Sequence, residues 1–236
     1  MKIAIITDTH CGIRNSSEIF LENAARFYKN IFFPYCTKNK IKHILHLGDY
    51  YENRKFVNFK ALNHNRKNFL NPLRENGMTM DIIPGNHEAT RKGESFFEHL
   101  TEKNAIKNEN VLVFTRNGRA TYGKTSFQFF PYGEMQTDNL PKYVEGDILV
   151  THIRGEVPPH ITPEYDFSRL SPWGLCLLGD LHFNHRYMDT NCYYPGSPVN
   201  TTFDRDETRK YGIDIYNVVD SHNYTREFHD LELPKL

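Results

Sequence analysis

The chain has 236 residues, of which 39% are hydrophobic and 25% charged, and its 29 lysines and arginines are balanced by 29 aspartates and glutamates. Such a composition suits a soluble globular protein large enough to bury a real core, and no apolar run approaches the roughly 18 residues of a membrane span. The zero balance weighs slightly against a nucleic-acid substrate, because binders of that class often carry a basic excess, although two bound dications would supply about four positive charges where phosphate sits.

The first element is a buried strand at 2–7. Its apolar run of four residues is too short for a signal-peptide core and is followed at once by Asp8, which points to a cytoplasmic protein. Ser16 and Ser17 can cap a helix with Glu18 in its first turn. Ile19, Phe20, Ala24, Phe27 and Ile31 keep helical spacing to about Phe33, where Pro34 interferes. Residues 43–47 read as a second strand, 57–75 as a long polar helix carrying Phe59, Leu62, Phe69 and Leu73, and 79–83 as a third strand stopped by Pro84 and Gly85. Strand, helix, strand, helix, strand in this order implies right-handed crossovers and a parallel sheet, whose carboxyl ends form one edge.

After about residue 110 the rhythm changes to short strands at 111–114, 120–122, 126–130, 147–150, 175–178, 192–194, 212–216 and 225–228, separated by turn residues. This half reads as mainly antiparallel. Residues 155–173, rich in proline and acidic, read as an ordered surface loop. With no repeat, low-complexity tract or flexible linker, the expectation is an α/β fold: one domain over 1–236, built as a two-sheet sandwich flanked by helices. Cys11, Cys36, Cys176 and Cys192 form no C-x-x-C pair and imply no disulfide framework. Cys11, near Asp8 and His10, reads as a packed side chain rather than a soft ligand, since oxygen-rich sites select harder ions.

Five strand ends carry the chemistry: Asp8-Thr9-His10, Gly48-Asp49, Gly85-Asn86-His87-Glu88, Thr151-His152 and Gly179-Asp180-Leu181-His182. Carboxylate, imidazole and amide oxygen gathered at strand ends are what a two-metal hydrolytic site needs. Asp8 and His10 stand at i and i+2, which point the same way in extended backbone, and Asp180 and His182 repeat that spacing. The Asp49 carboxylate can bridge two cations, which lie about 3.5–4 Å apart in such sites. Asn86 offers a neutral oxygen, and His87 beside it is better placed to contact substrate. Taken singly, each motif has a plainer reading, for Gly-Asp after a strand is often only a turn and a histidine such as His152 is more often structural. Five in order outweigh it. His43, His46, His64, His99, His160, His222 and His229 lack a partner motif and read as structural or solvated, while His185 lies close enough to His182 to touch substrate.

These residues resemble the calcineurin-like metallophosphoesterase superfamily over nearly the whole chain. Within it, Gly48-Asp49-Tyr50-Tyr51-Glu52-Asn53-Arg54 and Tyr194-Pro195-Gly196-Ser197-Pro198 are similar to the SbcD-type DNA repair exonucleases. The resemblance implies that Asp8, His10 and His182 hold a first metal, that Asn86, His152 and Asp180 hold a second, that Asp49 bridges and that His87 contacts the scissile phosphate and assists the leaving oxygen. It implies two divalent ions, manganese first with magnesium as substitute, and DNA as substrate. The protein partners it admits are an SbcC-type ATPase subunit and a second copy of the chain. Two departures stand out. The family's last motif has histidine where this chain has Asp180, whose added negative charge predicts a stronger preference for manganese or magnesium over zinc. Only 38 residues follow Pro198, little room for the family's DNA-capping and ATPase-docking parts, which implies a compact, phage-style version or the catalytic part of something longer.

Arg14, Arg54, Lys55, Arg66, Lys67, Arg91 and Lys92 follow the first three motif turns and could track a phosphate backbone, with Arg54 and His185 as the substrate contacts. For Lys60, Arg66 and Lys67 a solvated helix surface is an equal reading. Tyr50, Tyr51 and Phe56 suit either stacking on an unpaired base or packing. The leading expectation is a DNA exo- or endonuclease of repair or recombination. A small-molecule phosphatase or nucleotide phosphodiesterase is the alternative, favoured by the zero charge and the short tail. A non-enzymatic scaffold is the third, and the intact ligand set speaks against it.

Overall fold

The computed structural model describes residues 1–90, 94, 97, 110–156, 162–198 and 212–230. Arg91, Lys92, His99, His160 and part of the proline-rich loop lie outside the described residues. In chain order the strands are β1 (Lys2–Ile6), β2 (His43–His46), β3 (Thr79–Ile82), β4 (Val111–Val113), β5 (Gly118–Tyr122), β6 (Thr125–Phe130), β7 (Ile148–His152), β8 (Cys176–Gly179), β9 (His185–Arg186), β10 (Cys192–Tyr194), β11 (Gly212–Val218) and β12 (Tyr224–Asp230). They form two six-stranded sheets, ordered β12-β11-β1-β2-β3-β4 and β5-β6-β7-β8-β10-β9.

In the first sheet β1, β2, β3 and β4 are parallel, so their carboxyl ends share an edge. The last two strands close the other side of β1 as antiparallel partners. Side chains alternate across β1: Ile3 and Ile5 face the second sheet, where they pack with Leu45, Phe127, Phe129, Ile148, Val150 and Leu177. Ala4 and Ile6 face the helices and join Phe27, Phe32, Phe69 and Leu73. This period of two makes the sandwich, because each strand of the first sheet has an apolar residue for both layers.

The second sheet corrects the sequence expectation. It is antiparallel only at its margins, where β5 meets β6 and β9 meets β10. Its centre is parallel, β6 with β7, β7 with β8 and β8 with β10. The uninterrupted apolar runs of β7 and β8 are buried on both faces, which is the signature of a parallel sheet. The short β9 and the turn of helix Tyr132–Gln136 were not anticipated.

The first long helix does not stop at Pro34. Helix α1 (Glu18–Phe27) widens into a π turn, Tyr28–Phe32, and continues as α2 (Phe33–Lys38). The second repeats the device: α3 (Phe59–Asn65), a π turn at Arg66–Leu70, then α4 (Asn71–Glu75) with Pro72. Each proline thereby falls in a first turn, where its missing N–H leaves nothing unpaired. The two segments meet through Tyr28, Phe32, Phe33 and Phe69, whose ring centroids lie 4.8–6.3 Å from that of Phe69. Ile19 and Phe59, expected on the buried faces, are 58% and 82% exposed.

The buried histidines of β2 are structural. His43 Nδ1 lies 2.8 Å from Thr79 Oγ1 and its Nε2 3.2 Å from Asp81. His46 Nδ1 accepts the Gly48 N–H at 3.3 Å, so its Nε2 carries the proton and donates to Thr9 Oγ1 at 3.0 Å, which in turn donates to the Tyr50 carbonyl at 3.2 Å. His46 thus ties together the turns after β1 and β2. Burial drives its pKa down from 6.5 to about 3. The unfolded chain takes up this proton below 6.5 and the folded one does not, so stability is full above that pH and lost as pH falls towards 3. Denaturant unfolding should therefore lose on the order of 2 kcal/mol by about pH 5 through this group alone. The slope should flatten in His46→Gln; an equally steep slope in that variant would show that other groups set it.

Candidate metal centre

The five motifs converge at the carboxyl ends of β1, β2, β3, β7 and β8. The chain arrives there in an unusual backbone. Asp8, His10, Asp49 and Asp180 all have positive φ, at 52°, 43°, 53° and 98°. The side chains of Asp8 and His10 therefore do not converge by the extended alternation expected from their spacing. Each turns in through the left-handed region, which costs a non-glycine residue energy and is concentrated at functional sites. Glycines allow the close approach elsewhere: a Cβ at Gly85 would overlap Asp49 Oδ1 and the His152 ring, and one at Gly179 would overlap the Leu47 carbonyl and His152 Nδ1.

Three overlapping groups have ligand atoms within 4.8 Å of one another: Asp8, His10 and His182; His10, Asp49 and His87; Asp8, Asp49 and His152. In the first, His10 Nε2 faces His182 Nε2 at 3.0 Å, and Asp8 Oδ1 lies 3.9 and 3.7 Å from them. Asp8 Oδ2 accepts from Thr7 Oγ1 at 2.6 Å and from the Asp180 N–H at 3.2 Å. Its Oδ1 is buried and accepts no hydrogen bond among the described residues. In the third group, His152 Nδ1 donates to the Leu47 carbonyl at 2.8 Å, so in the neutral ring Nε2 is the lone-pair nitrogen, aimed at Asn86 Oδ1 (3.0 Å) and Asp49 Oδ1 (3.4 Å). With the neutral ring these are three acceptors facing one another, and a proton or a metal ion between them would satisfy them. With its amide turned over, Asn86 would instead donate to Asp49 at 3.0 and 3.1 Å. An orphaned carboxylate oxygen, paired imidazole nitrogens and an amide that satisfies its neighbours only by inverting all fit divalent cations.

The electrostatics agree. Burial opposes charge on His10, but the Glu52 carboxylate 2.8 Å from Nδ1, with Asp49 and Asp8, raises it to about 9. Burial likewise opposes charge on His152, and Asp49, Asp8 and Asp180 outweigh it, again to about 9. Burial and the neighbouring His10 push His182 down to about 4. Burial raises Asp8, while Asp49, also buried, is held below the ordinary carboxylate range by His152, His10 and His87. The cluster draws positive charge, as protons or as metal ions.

His87 sits at the rim with a side chain 34% exposed; its Nδ1 donates to the Glu52 carbonyl at 2.6 Å, and its Nε2 lies 3.9 Å from Asp49 Oδ2. A cavity of about 440 Å³ opens beside His10, His87 and His182 and is lined also by Arg14, Glu52 and Phe56. Arg14 belongs to a run of left-handed residues, with φ of 52°, 58° and 61° at Arg14, Asn15 and Ser16. Arg54 donates to the Asn86 carbonyl at 3.1 Å. His185 lies on β9 and does not line this cavity. Tyr50 and Tyr51 are buried, joined through Asn65, and unavailable for stacking; Phe56 is exposed. Cys11 packs on the Ala61 carbonyl, and burial pushes its thiol up to about 12.

Four supporting residues were given no role from the sequence: Glu88, Glu52 and Ser197 stand inside the quoted motifs, and Arg154 lies outside them. Buried Glu88 accepts the N–H groups of Asp49 (3.0 Å), Tyr51 (2.6 Å) and Gly85 (2.9 Å), and so knits the second and third turns together. Glu52 holds His10. Ser197 of the Tyr-Pro-Gly-Ser-Pro stretch donates to the Asp8 carbonyl at 2.8 Å. Arg154 forks Asp180, with Nε 2.8 Å from Oδ2 and a terminal nitrogen 3.0 Å from Oδ1. Asp180 joins none of the three groups, and the guanidinium cancels the added charge on which the expected preference against zinc rested.

A two-sheet sandwich with aspartates, histidines and one asparagine at its strand ends defines a metal-dependent phosphoester hydrolase. Residues 1–222 match the calcineurin-like phosphoesterases, and the chain belongs to that family. It is 31% identical over 160 residues to the protein described as probable exonuclease subunit 1 of Escherichia phage T5, covering 66% of this chain and 47% of that one; the chain thus spans about half that relative's length. Among solved structures it superposes on GAP50, the anchor in the inner membrane complex of Plasmodium, with a TM-score of 0.59 at 10% identity, covering 100% of this chain and 86% of that one. It superposes on a dimetal phosphatase from Danio rerio with a TM-score of 0.57 at 7% identity, covering 96% and 98%. At such identities the likeness is one of fold. Among the described residues no helix is long and apolar enough to cross a membrane.

Glu88 generates a direct test. Glu88→Ala would leave three buried N–H groups unpaired, and thermal unfolding should show a loss of about 2–4 kcal/mol. A loss below about 0.5 kcal/mol, ordinary for a surface position, would mean the turns hold each other without it.

Proposed function

We propose that the protein hydrolyses phosphodiester bonds in DNA, as an exo- or endonuclease of repair or recombination working with two divalent ions, manganese first and magnesium second. Metal-dependent phosphoester hydrolysis follows from the family and the site; the likeness to a phage protein described as an exonuclease subunit is what favours DNA. Asp8, His10 and His182 would hold one ion, Asn86, His152 and Asp180 the other, with Asp49 between them. Bound there, the ions would polarise phosphate oxygens and bring the pKa of a water to ~7.

The chain's own groups do the rest. The Leu47 carbonyl fixes the tautomer of His152, and Glu52 holds His10, so both present Nε2 inward. The hydrogen bond from His87 Nδ1 to Glu52 orients its Nε2 towards the reaction space. As imidazolium, His87 would donate from Nε2 to the leaving oxygen, a step typically worth ~10²–10⁴-fold. Arg14 and Phe56 border the cavity where a backbone phosphate and a base would lie, Arg54 is held on the Asn86 carbonyl, and His185 does not line the cavity.

The chain is read as one catalytic domain. An ATPase subunit of SbcC type is the proposed partner, in keeping with the relative's description as a subunit, and self-association of two copies is a further arrangement. The second reading is a phosphatase or nucleotide phosphodiesterase of small molecules, favoured by the open cavity and the zero net charge.

Manganese-dependent cleavage of end-labelled single- and double-stranded linear DNA, run beside a phosphomonoester and a bis-aryl phosphodiester, separates the two. DNA should be degraded, and Asp49→Ala should abolish this. Turnover of small esters with intact DNA would move the assignment to the second reading. His87→Ala should lower turnover ~10²–10⁴-fold while manganese binding persists; loss of the metal in that variant would make His87 a ligand.

A further inference from the structure

The two halves of the site differ in one respect that the ligand types do not reveal. Around Asp8, His10 and His182 the only groups paired with the carboxylates among the described residues are histidines and neutral donors. Around His152 a permanent cation is already present. Arg154 lies two residues beyond His152, and its guanidinium meets the buried Asp180 carboxylate edge to edge, Nε to Oδ2 at 2.8 Å and the terminal nitrogen to Oδ1 at 3.0 Å. Oδ1 is also the oxygen that faces His152 Nε2, at 3.9 Å. The atom of Asp180 nearest the second position is therefore the one the arginine holds.

A bidentate guanidinium–carboxylate pair is among the stronger charge-assisted contacts, and the guanidinium cannot be titrated away. An ion entering beside His152 must share Asp180 with it or displace it, and meets its positive charge at short range in a partly desolvated site. The Arg154 side chain is 33% exposed, so it has somewhere to go.

We propose that Arg154 makes the two cation positions unequal: it competes with the second divalent ion for Asp180, so the position built on Asp49, Asn86 and His152 fills only after the Asp8–His10–His182 position is full. The inference rests on the metal-dependent reading above and adds an order of filling to it. At low metal the protein carries one ion and an internal Arg154–Asp180 pair; at high metal it carries two ions and a released guanidinium.

The test is a manganese titration of the full chain, counting free ion by electron paramagnetic resonance and heat by calorimetry, with no substrate present. Wild type should bind two ions in steps separated by roughly tenfold or more, the range over which groups supporting metal ligands act. Arg154→Met should tighten the second step roughly tenfold and move the first by less than about twofold. Arg154→Lys, which keeps the charge but loses the fork, should fall between. Circular dichroism melts identify folded variants; should Arg154→Met not fold, the lysine variant decides, by tightening the second step or leaving it unchanged. Two wild-type steps of equal strength, or a second step unchanged or weakened in folded variants, would overturn the proposal and leave the metal centre standing. No saturable manganese binding, or binding indifferent to Asp49→Ala, would overturn the metal centre itself.

Discussion

The strand-end site depends on keeping Asp8, Asp49 and Glu88 buried together. Burial alone pushes a carboxylate towards its neutral form, and neighbouring charges of the same sign push further; Glu88 is raised to about 8 by burial and by Asp49. The structure answers with oriented donors. Thr7 and the Asp180 N–H hold one oxygen of Asp8, three backbone N–H groups hold Glu88, and the His87 N–H holds Asp49. What those donors do not hold is Asp8 Oδ1, and the remaining negative charge raises the pKa of His10 and His152.

That solution constrains the turns. Apart from the Thr7 hydroxyl these donors come from backbone, which must turn sharply enough to aim them. Left-handed residues at Asp8, His10, Asp49 and Asp180 and the tight contact at Gly85 follow from this requirement. The same geometry explains why Tyr194-Pro195-Gly196-Ser197 sits where it does. Tyr194 donates to the carbonyl of Ile153 beside His152, and Ser197 to that of Asp8, so one short segment braces motifs on both sheets.

Much of this was legible in the sequence because each candidate ligand stands just after an apolar run. Position in the chain then maps to position on the sheet edge, and β1, β2, β3, β7 and β8 fell within a residue or two of expectation. What was not legible has a common cause: it lies between elements rather than along them. Glu88 acts on Asp49 and Tyr51 from a different turn, Glu52 acts on His10 from the turn after β2, and Arg154 acts on Asp180 across neighbouring strands. Glu52 and Glu88 stand inside quoted motifs, but no local pattern shows which turn each of them, or Arg154, reaches. The parallel centre of the second sheet was missed because the sequence between its strands shows no long helical pattern, although the runs 148–150 and 175–178, apolar throughout, already carried the signal. Ile19 and Phe59 were misplaced because the faces of their helices are set by the packing of Phe27, Tyr28 and Phe69, which periodicity alone does not resolve.

The hydrogen bond from His152 to the Leu47 carbonyl has a consequence beyond setting a tautomer. His152 ends a strand of one sheet and Leu47 follows a strand of the other. The donors divide in the same way, Asp8, His10, Asp49 and Asn86 hanging from the first sheet, His152, Asp180 and His182 from the second. The site is thus a seam, closed from both sides over the apolar layer between the sheets. Any ligand seated in it clasps the two halves of the sandwich, and its binding free energy becomes cohesion of the whole, about 2.7 kcal/mol at a hundredfold excess over its dissociation constant. Chelation would act on this molecule as a thermal event, felt first where the sheets part.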